Sequence, residues 1–517
     1  MARFSSKTSL KVYPSHYEKE TEWIELEYLV KDLLPGDVFE VQSSKRRISP
    51  FFTKFLNRDI KLYRHQSYAL NSYRLIASPL HILNVKSLNT EETMKVQNLS
   101  SNLREWSIQP KPLKRSWGDP EPHIFISEYP SWKAVVDEVL LALNVATEFT
   151  NNPSKEAQKL AAEWMDQSKD PHEQARLAVR FIQNEFNAFP HSITKYHMND
   201  LNTVLEERDG DIYGKALLLQ GLLKLMGISS TPILTQYYHN FIQNSLPQHK
   251  GFDSVILRID FAEMSLYLDP NAEKQVGPLE SNILSESHDY KIGLPLSADT
   301  TDLIALQPSQ LNHPTKIVTK ISPIDLDHIE IRTETILYGP KASELRNRNR
   351  YDEGNIERVS KEKLRHLNFY YSGSKIIEPF QLVDNEKLNT VTTIESYSVP
   401  LKYQKGFAFK PEIFNIFSFY RLDEEQQTPY SLRFPEWVQQ EVHIEFPESL
   451  RTPFFDEIKH EHDCLYYHYI RSGNEKSEDL FIELKYLQKE VDPSQVRSYN
   501  KLVGIINNNN GYVQFLR

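Results

Sequence analysis

The stretch Arg208–Ile228, RDGDIYGKALLLQGLLKLMGI, limits the possible folds more than any other part of this chain. Asp209 and Asp211 stand directly before an apolar run whose members recur at helical spacing. Asp211 is therefore read as an N-cap, its carboxylate accepting from the unsatisfied amides of a first turn that begins near Ile212. Leu217, Leu218, Leu222, Leu223 and Leu225 supply a buried face, and Gly227 ends the helix in C-cap fashion. Three alternating segments follow, Ser230–Leu234, Asp253–Ile259 and Met264–Leu268, and each predicts a strand. A buried helix followed by antiparallel strands implies a core of mixed α and β structure.

Two short motifs accompany the helix, GFDSVIL at Gly251–Leu257 and LYLDP at Leu266–Pro270. Together the three pieces resemble those of bacterial transglutaminase-like proteins. There the first runs R-x-G-D-C-K-x-K-A, the second F-N-H-V, and the third carries an acid in a Y-x-D-P context. The resemblance puts Ile212 where the nucleophilic cysteine would stand and Ser254 where the histidine would stand, and it leaves Asp269 as the matching acid. It implies a papain-like core in which the helix is followed by strands delivering the second and third members. It also implies that transglutaminase or cysteine-protease chemistry is gone.

The chemistry explains why. A thiol attacks an acyl carbon as a thiolate, so such enzymes place it at a helix N-terminus beside a histidine, and a carboxylate orients the imidazole. Isoleucine has no lone pair, proton or charge to offer, and serine titrates nowhere near neutral pH. Losing one member of such a unit costs about as much as losing all of it. The single cysteine, Cys464, lies far downstream and breaks the chain order of the fold. His249, in the loop LPQHKGF, could swing towards the cleft, but a lone loop histidine is read first as solvent-exposed. Tyr213 is read as a packing residue. Gln183, in the helix segment FIQNEF, matches a glutamine of the family pattern and is read first as a partly exposed helical residue. Asp211 and Asp253 complete the candidate cleft set with Gln183, Tyr213 and His249.

At 517 residues the chain has room for two or three domains. Three are expected: an N-terminal β domain over 1–130, a transglutaminase-like core over 131–285, and a C-terminal β domain with a terminal helix over 286–517. The fold class is thus α+β, a papain-like core flanked by two sandwich-like, β-rich domains. In the first, WIELEYLVKDLLPGDVFEVQ (Trp23–Gln42) predicts strand, turn at Pro35–Gly36 and strand; Tyr73–Ala77, His81–Ser87 and Asn102–Ile108 predict more. Leu34–Val38 and Ile126–Trp132 resemble the "pGDv" and "is-x-y-x-sW" segments of a β domain of unknown function that precedes the core in the family. That domain usually carries additional strands and an export signal ahead of them, so this one is expected to be shortened or truncated. In the core, Trp132–Leu143, Ser154–Gln167 and His172–Asn187 predict helices. Further on, His328–Gly339 and the later runs VHIEFP, CLYYHYIR and LFIELKYLQ predict strands; Gly339–Arg346 resembles a family helix start, and Pro493 to Ile506 predicts the last helix.

A net charge of −10 and a pI near 6.0 argue against nucleic acid or anionic membrane as partner, and the cluster Lys45–Arg46–Arg47 is read as a solvated loop. No run of 18 apolar residues occurs, and MARFSSKTSLKVY lacks the apolar centre of a signal peptide. The expected location is periplasm or cell envelope if an export signal lies upstream, and cytoplasm otherwise. One cysteine excludes an internal disulfide framework, and no P-loop, Rossmann, HExxH or CxxC pattern is present. No cofactor is expected.

Other groupings admit plainer readings. His460, His462, Cys464, Tyr466 and His468 alternate along one predicted strand, with one face carrying members about 6.6–6.8 Å apart. Two histidines and a thiolate so placed could hold zinc or copper; the plainer reading is a histidine-rich, partly exposed strand with no metal. Glu206, Glu207, Asp209 and Asp211 suit caps and helix-dipole partners better than a carboxylate pair. The pairs Tyr237–Tyr238, Tyr370–Tyr371 and Tyr466–Tyr467, taken as strand residues, each place one ring in the core. The expectation is a catalytically silent protein that binds a peptide, polysaccharide or protein partner; the alternative is a hydrolase or transferase with a relocated, metal-assisted site.

Overall fold

The computed structural model describes residues 9–14, 24–29, 55, 57–61, 73–88, 93–108, 123–143, 145–189, 200–236, 242–249, 251–273, 275–279, 284, 292–306, 313–325, 327–350, 355–370, 372–400, 407–409, 421–424, 430–432, 436–446, 453–488, 490–509 and 513–515. The chain divides into two compact units at residue 50. In the first, Ser9–Pro14 pairs antiparallel with Ile24–Leu29. The turn expected at Pro35–Gly36 and the Lys45–Arg47 cluster lie outside the described residues.

The second unit opens with two three-stranded antiparallel sheets. One orders its strands Asn57–Lys61, His123–Ser127, Asn84–Leu88; the other Tyr73–Ala77, Leu103–Ile108, Lys95–Ser100. Alternate residues of both, among them Ile60, Leu75, Val85, Ile108, Ile124 and Ile126, pool into one apolar cluster. The strand expected from His81 starts only at Asn84, because Ser78–His81 closes a turn in which the His81 amide donates to the Ser78 carbonyl at 3.0 Å.

Six helices follow. Helix α1 is Trp132–Ala142, α2 Val145–Asn151, α3 Lys155–Gln167, α4 Pro171–Glu185, α5 Leu201–Glu207 and α6 Ile212–Leu225. Their starts obey local chemistry: Ser131 caps α1, Ser154 caps α3, and Asp170 caps α4 ahead of a first-turn proline. Helix α6 is buried nearly all round, with Ala216, Leu217, Leu218, Leu219, Leu222 and Leu223 in the core, as a central helix must be. Against it lies a five-stranded antiparallel sheet ordered Ser265–Leu268, Ser254–Asp260, Ser229–Thr235, Ile292–Pro295, Ile304–Ala305. Strand alternation sends Leu234, Val255, Leu257 and Ile259 into the cluster with α6, and Ile233 and Ile256 into a smaller cluster on the opposite face.

An eight-stranded sheet dominates the remainder. Its order is Lys375–Asn385, Thr390–Pro400, His328–Tyr338, Thr315–Pro323, Trp437–Glu445, Ser477–Tyr486, Leu465–Gly473, Phe454–His462, with one parallel pairing, Thr315–Pro323 on Trp437–Glu445. Helices α7 (Gly339–Arg350) and α8 (Asn355–Tyr370) lie on the part of the sheet formed by its first three strands. Helix α9 (Val496–Asn509) seals the other part with Val496, Tyr499, Leu502, Val503 and Ile506, a helical stripe. The whole is a mixed α+β fold with β-rich regions. Among the described residues no helix is long and apolar enough to cross a membrane.

Candidate functional site

The candidate site is built from the N-terminal end of α6, the strand beginning at Ser254 and the loop that starts at Asp269. Asp211 caps α6 through one oxygen, Oδ1, which accepts from the Tyr213 amide at 3.1 Å and the Gly214 amide at 2.7 Å. Ile212 opens the helix, half-buried and packed against the core. Tyr213 is buried and its hydroxyl has no hydrogen-bond partner. Burial, then the nearby carboxylates of Asp211 and Asp253, push that phenol well above its ordinary range. Asp253 thus faces the start of α6, and its amide donates to the Thr235 carbonyl at 3.2 Å.

Ser254 and Asp269 come to the same end of two neighbouring strands. Leu257 pairs with Leu268, so extending that register brings Asp269 opposite Ile256, two residues from Ser254 on the neighbouring strand. Ser254 is buried, paired with Thr235. By alternation it falls on the face of Ile256 and Ile233 and not on the face of Val255 and Leu257 that α6 covers. The backbone of Asp269 is held firmly. Its carbonyl accepts from Gln183 Nε2 at 2.9 Å and from the Ala272 amide at 3.2 Å, and its Oδ1 accepts from the Asn271 amide at 2.8 Å.

Gln183 departs from its expected exposure. It is 1 % exposed, because it bridges two elements: while its Nε2 reaches Asp269, its Oε1 accepts from Arg180 Nη1 at 2.9 Å. Arg180 Nη2 donates to the carbonyls of Val276 at 2.8 Å and Gly277 at 2.7 Å. Burial, then the charges of Arg176 and Arg346, lower Arg180 to about 9, which leaves it cationic at neutral pH. Helix α4 therefore fixes the loop 269–279 through one amide and one guanidinium. The sequence signals neither role, because both partners lie almost a hundred residues away.

His249 also departs from its expected exposure: it is 0 % exposed. Its Nδ1 lies 2.9 Å from the Tyr129 hydroxyl, which in turn donates to Glu138 Oε2. A phenol has one proton, so donating it to Glu138 leaves its oxygen to accept from His249 Nδ1–H. The imidazole is a strut between the loop before Ser254 and helix α1. Tyr129 and Glu138 carried no signal of this in the sequence.

Lys215 was equally silent, although it is the second lysine of the R-x-G-D-C-K-x-K-A pattern and interrupts an otherwise apolar helix. It is 0 % exposed and its Nζ has no hydrogen-bond partner. Burial lowers its pKa from 10.5 against a smaller opposing pull from Asp269 and Glu273.

The His460–His468 stretch is not one strand. Phe454–His462 and Leu465–Gly473 form a hairpin turning at Asp463–Cys464. The turn resets the alternation: His460 pairs with Tyr467 and His468 with Lys459, so His468 faces away from His460 and His462. His468, His462 and Cys464 have separate partners. His468 Nε2 meets Glu457 at 2.8 Å, and His462 Nε2 meets Ser498 Oγ at 2.8 Å. Cys464 is buried among Gln488, Glu490 and Gln495, which with Asp463 pushes its thiol up to about 11. Among the described residues no cluster of three or more His, Cys, Asp or Glu could hold a metal. Of the tyrosine pairs, Tyr467 is buried beside a half-buried Tyr466, Tyr370 ends helix α8 and not a strand, and Tyr237, Tyr238 and Tyr371 lie outside the described residues.

No protein-family profile matches the sequence, and no curated protein matches it. Among solved structures, the chain is similar to a putative protease from Parabacteroides distasonis, at 13% identity and a TM-score of 0.53, over 90% of this chain and 76% of that one. The likeness shows a shared fold. The periplasmic domain of TgpA from Pseudomonas aeruginosa also matches, at 14% identity over 40% of this chain and 71% of that one, but its TM-score of 0.19 carries no argument.

Proposed function

We propose that this chain is a catalytically silent transglutaminase-like protein whose degenerate cleft serves as a binding groove for a peptide or polysaccharide. The observation that supports the reading most is the residue at the tip of α6. That tip is a helix N-terminus, the setting that lowers a thiol's pKa, and it carries isoleucine. The protein's one thiol is buried in the eight-stranded sheet region with a raised pKa, and His249 is committed to Tyr129. Recognition and bond-breaking use different residues, so a groove can outlive its chemistry. Asp211, Tyr213 and Asp253 would line it at the α6 end, with Gln183 and His249 holding its walls. In this reading the flanking β-rich regions contact the partner, and the setting is the bacterial envelope.

The test has two arms. Purified protein incubated with casein and a fluorescent primary amine should incorporate nothing above a heat-inactivated control; incorporation would refute silence. The variant Ile212→Cys should give a thiol alkylated faster than Cys464, with a depressed pKa read from the pH dependence of alkylation. A new thiol of ordinary pKa would refute the inherited active-site geometry, and with it the groove.

A further inference from the structure

Lys215 is a buried cation that the fold leaves without a partner. It stands three residues beyond Ile212 on α6, and positions three apart share a helix face. Its stem turns back towards the N-terminal end of the helix, as helical side chains do. Lys215 Cγ lies 3.6 Å from where a side chain on Gly210 would begin, and such a side chain would strike Val204 at 2.9 Å. The Lys215 stem therefore runs beside Gly210 at the N-terminal end of α6, three residues on from the half-buried Ile212. Asp269 and Glu273 are close enough to act on its charge, yet neither forms a hydrogen bond with it. In the same loop, Asn271 Nδ2 and Oδ1 and Gln275 Oε1 are buried without hydrogen-bond partners. Buried polar groups are almost always satisfied, and concentrated exceptions mark sites where a missing group belongs.

We propose that Lys215 is a reactive amine at which this protein captures a small carbonyl compound, an aldehyde or ketone, as an imine at the N-terminal end of α6. A desolvated lysine is the usual means of making this side chain nucleophilic, and the burial described above leaves more of it neutral at any given pH than an exposed lysine. The Nζ lone pair adds to the carbonyl carbon, and the oxygen becomes the hydroxyl of a carbinolamine. That oxygen then leaves with the two amine hydrogens as water, giving the C=N bond, and Asp269 is placed to pass the proton between them. The unsatisfied amides of Asn271 and Gln275 supply donors and acceptors for polar groups on the captured molecule. This inference goes beyond the groove reading. It needs only the helix face and the loop, so it survives if no peptide or glycan binds.

The experiment is reductive trapping. The full chain is incubated with acetaldehyde and cyanoborohydride at neutral pH, and ethylation is mapped lysine by lysine through peptide mass spectrometry. Lys215 should react several-fold faster than Lys159, whose side chain is 74% exposed. Ile212→Ala, which trims a side chain on the same helix face, should raise the Lys215 rate further while leaving Lys159 unchanged. A Lys215 that stays unmodified, or reacts no faster than Lys159, in both wild type and Ile212→Ala overturns the proposal. Folding of each protein is checked by its circular dichroism, and the wild-type measurement decides alone if the variant does not fold. Failure of the casein and alkylation tests above would not alter this result.

Discussion

At the scale of single residues the site is a set of polar side chains buried for different reasons. Gln183 and the two terminal nitrogens of Arg180 are hydrogen-bonded and hold a loop; Lys215 Nζ has no hydrogen-bond partner. The difference has a measurable pH signature. Because burial lowers the Lys215 pKa below 10.5 in the folded state, the unfolded chain binds the extra proton in the window between the lowered value and 10.5. Stability contributed through this residue therefore rises with pH across that window and is lowest beneath it. Lys215→Met fills a similar volume without the charge. It is expected to be roughly 1 kcal/mol or more stabilising at pH 7, with a shrinking gain as pH approaches 10.5, read by urea denaturation at several pH values. A loss of stability at pH 7 would show that the ammonium is paired. At this scale the sequence is only half legible: Asp211 announces its cap, since its partners are two and three residues on, whereas Gln183 and His249 owe their burial to Asp269 and Tyr129, 86 and 120 residues away.

At the scale of elements, α6 and its sheet were the readable part. A capped helix with an apolar run and strands with period-two alternation are local signals, and the structure places them within a residue or two of expectation. Other elements carried no such signal. Helix α2, VATEFTN, is only seven residues long, five of them Val, Thr, Phe or Asn with weak helix propensity, and it packs on α6. The strand Lys95–Ser100 exposes every side chain, so it shows no alternation to detect. The hairpin at Asp463–Cys464 was invisible because the alternation runs straight through a two-residue turn. The α2–α6 contact gives a test of its own. A methyl group on Gly221 would lie 2.5 Å from Phe149, so Gly221→Ala should destabilise the protein despite the better helix propensity of alanine. About 1–3 kcal/mol is expected from such overpacking, measured by chemical denaturation, and a stabilised variant would show that the aromatic ring yields.

At the scale of the whole second unit, charge pins α7 to the outer hairpin of the eight-stranded sheet. Arg346 of α7 holds Asp384 through two bonds of 2.7 Å and Asn389 Oδ1 through a third of 2.7 Å, with the Thr390 carbonyl at 3.2 Å. It also lies near enough to Arg180 for the two cations to oppose one another. Arg346→Ala should cost about 2–3 kcal/mol in global stability, since bonds from a charged, largely buried donor are lost together and Asn389 keeps a left-handed backbone at φ 50 without its support. A thermal melt that is unchanged would mean that the hairpin 375–400 is held by its strand pairing alone.

The chain of Glu138, Tyr129 and His249 bears on what chemistry this scaffold could host. An imidazole already employed as a girder cannot be recruited as a base without loosening the wall it supports. A thiol introduced at the helix tip could not draw on His249 as its proton acceptor while Tyr129 holds that ring.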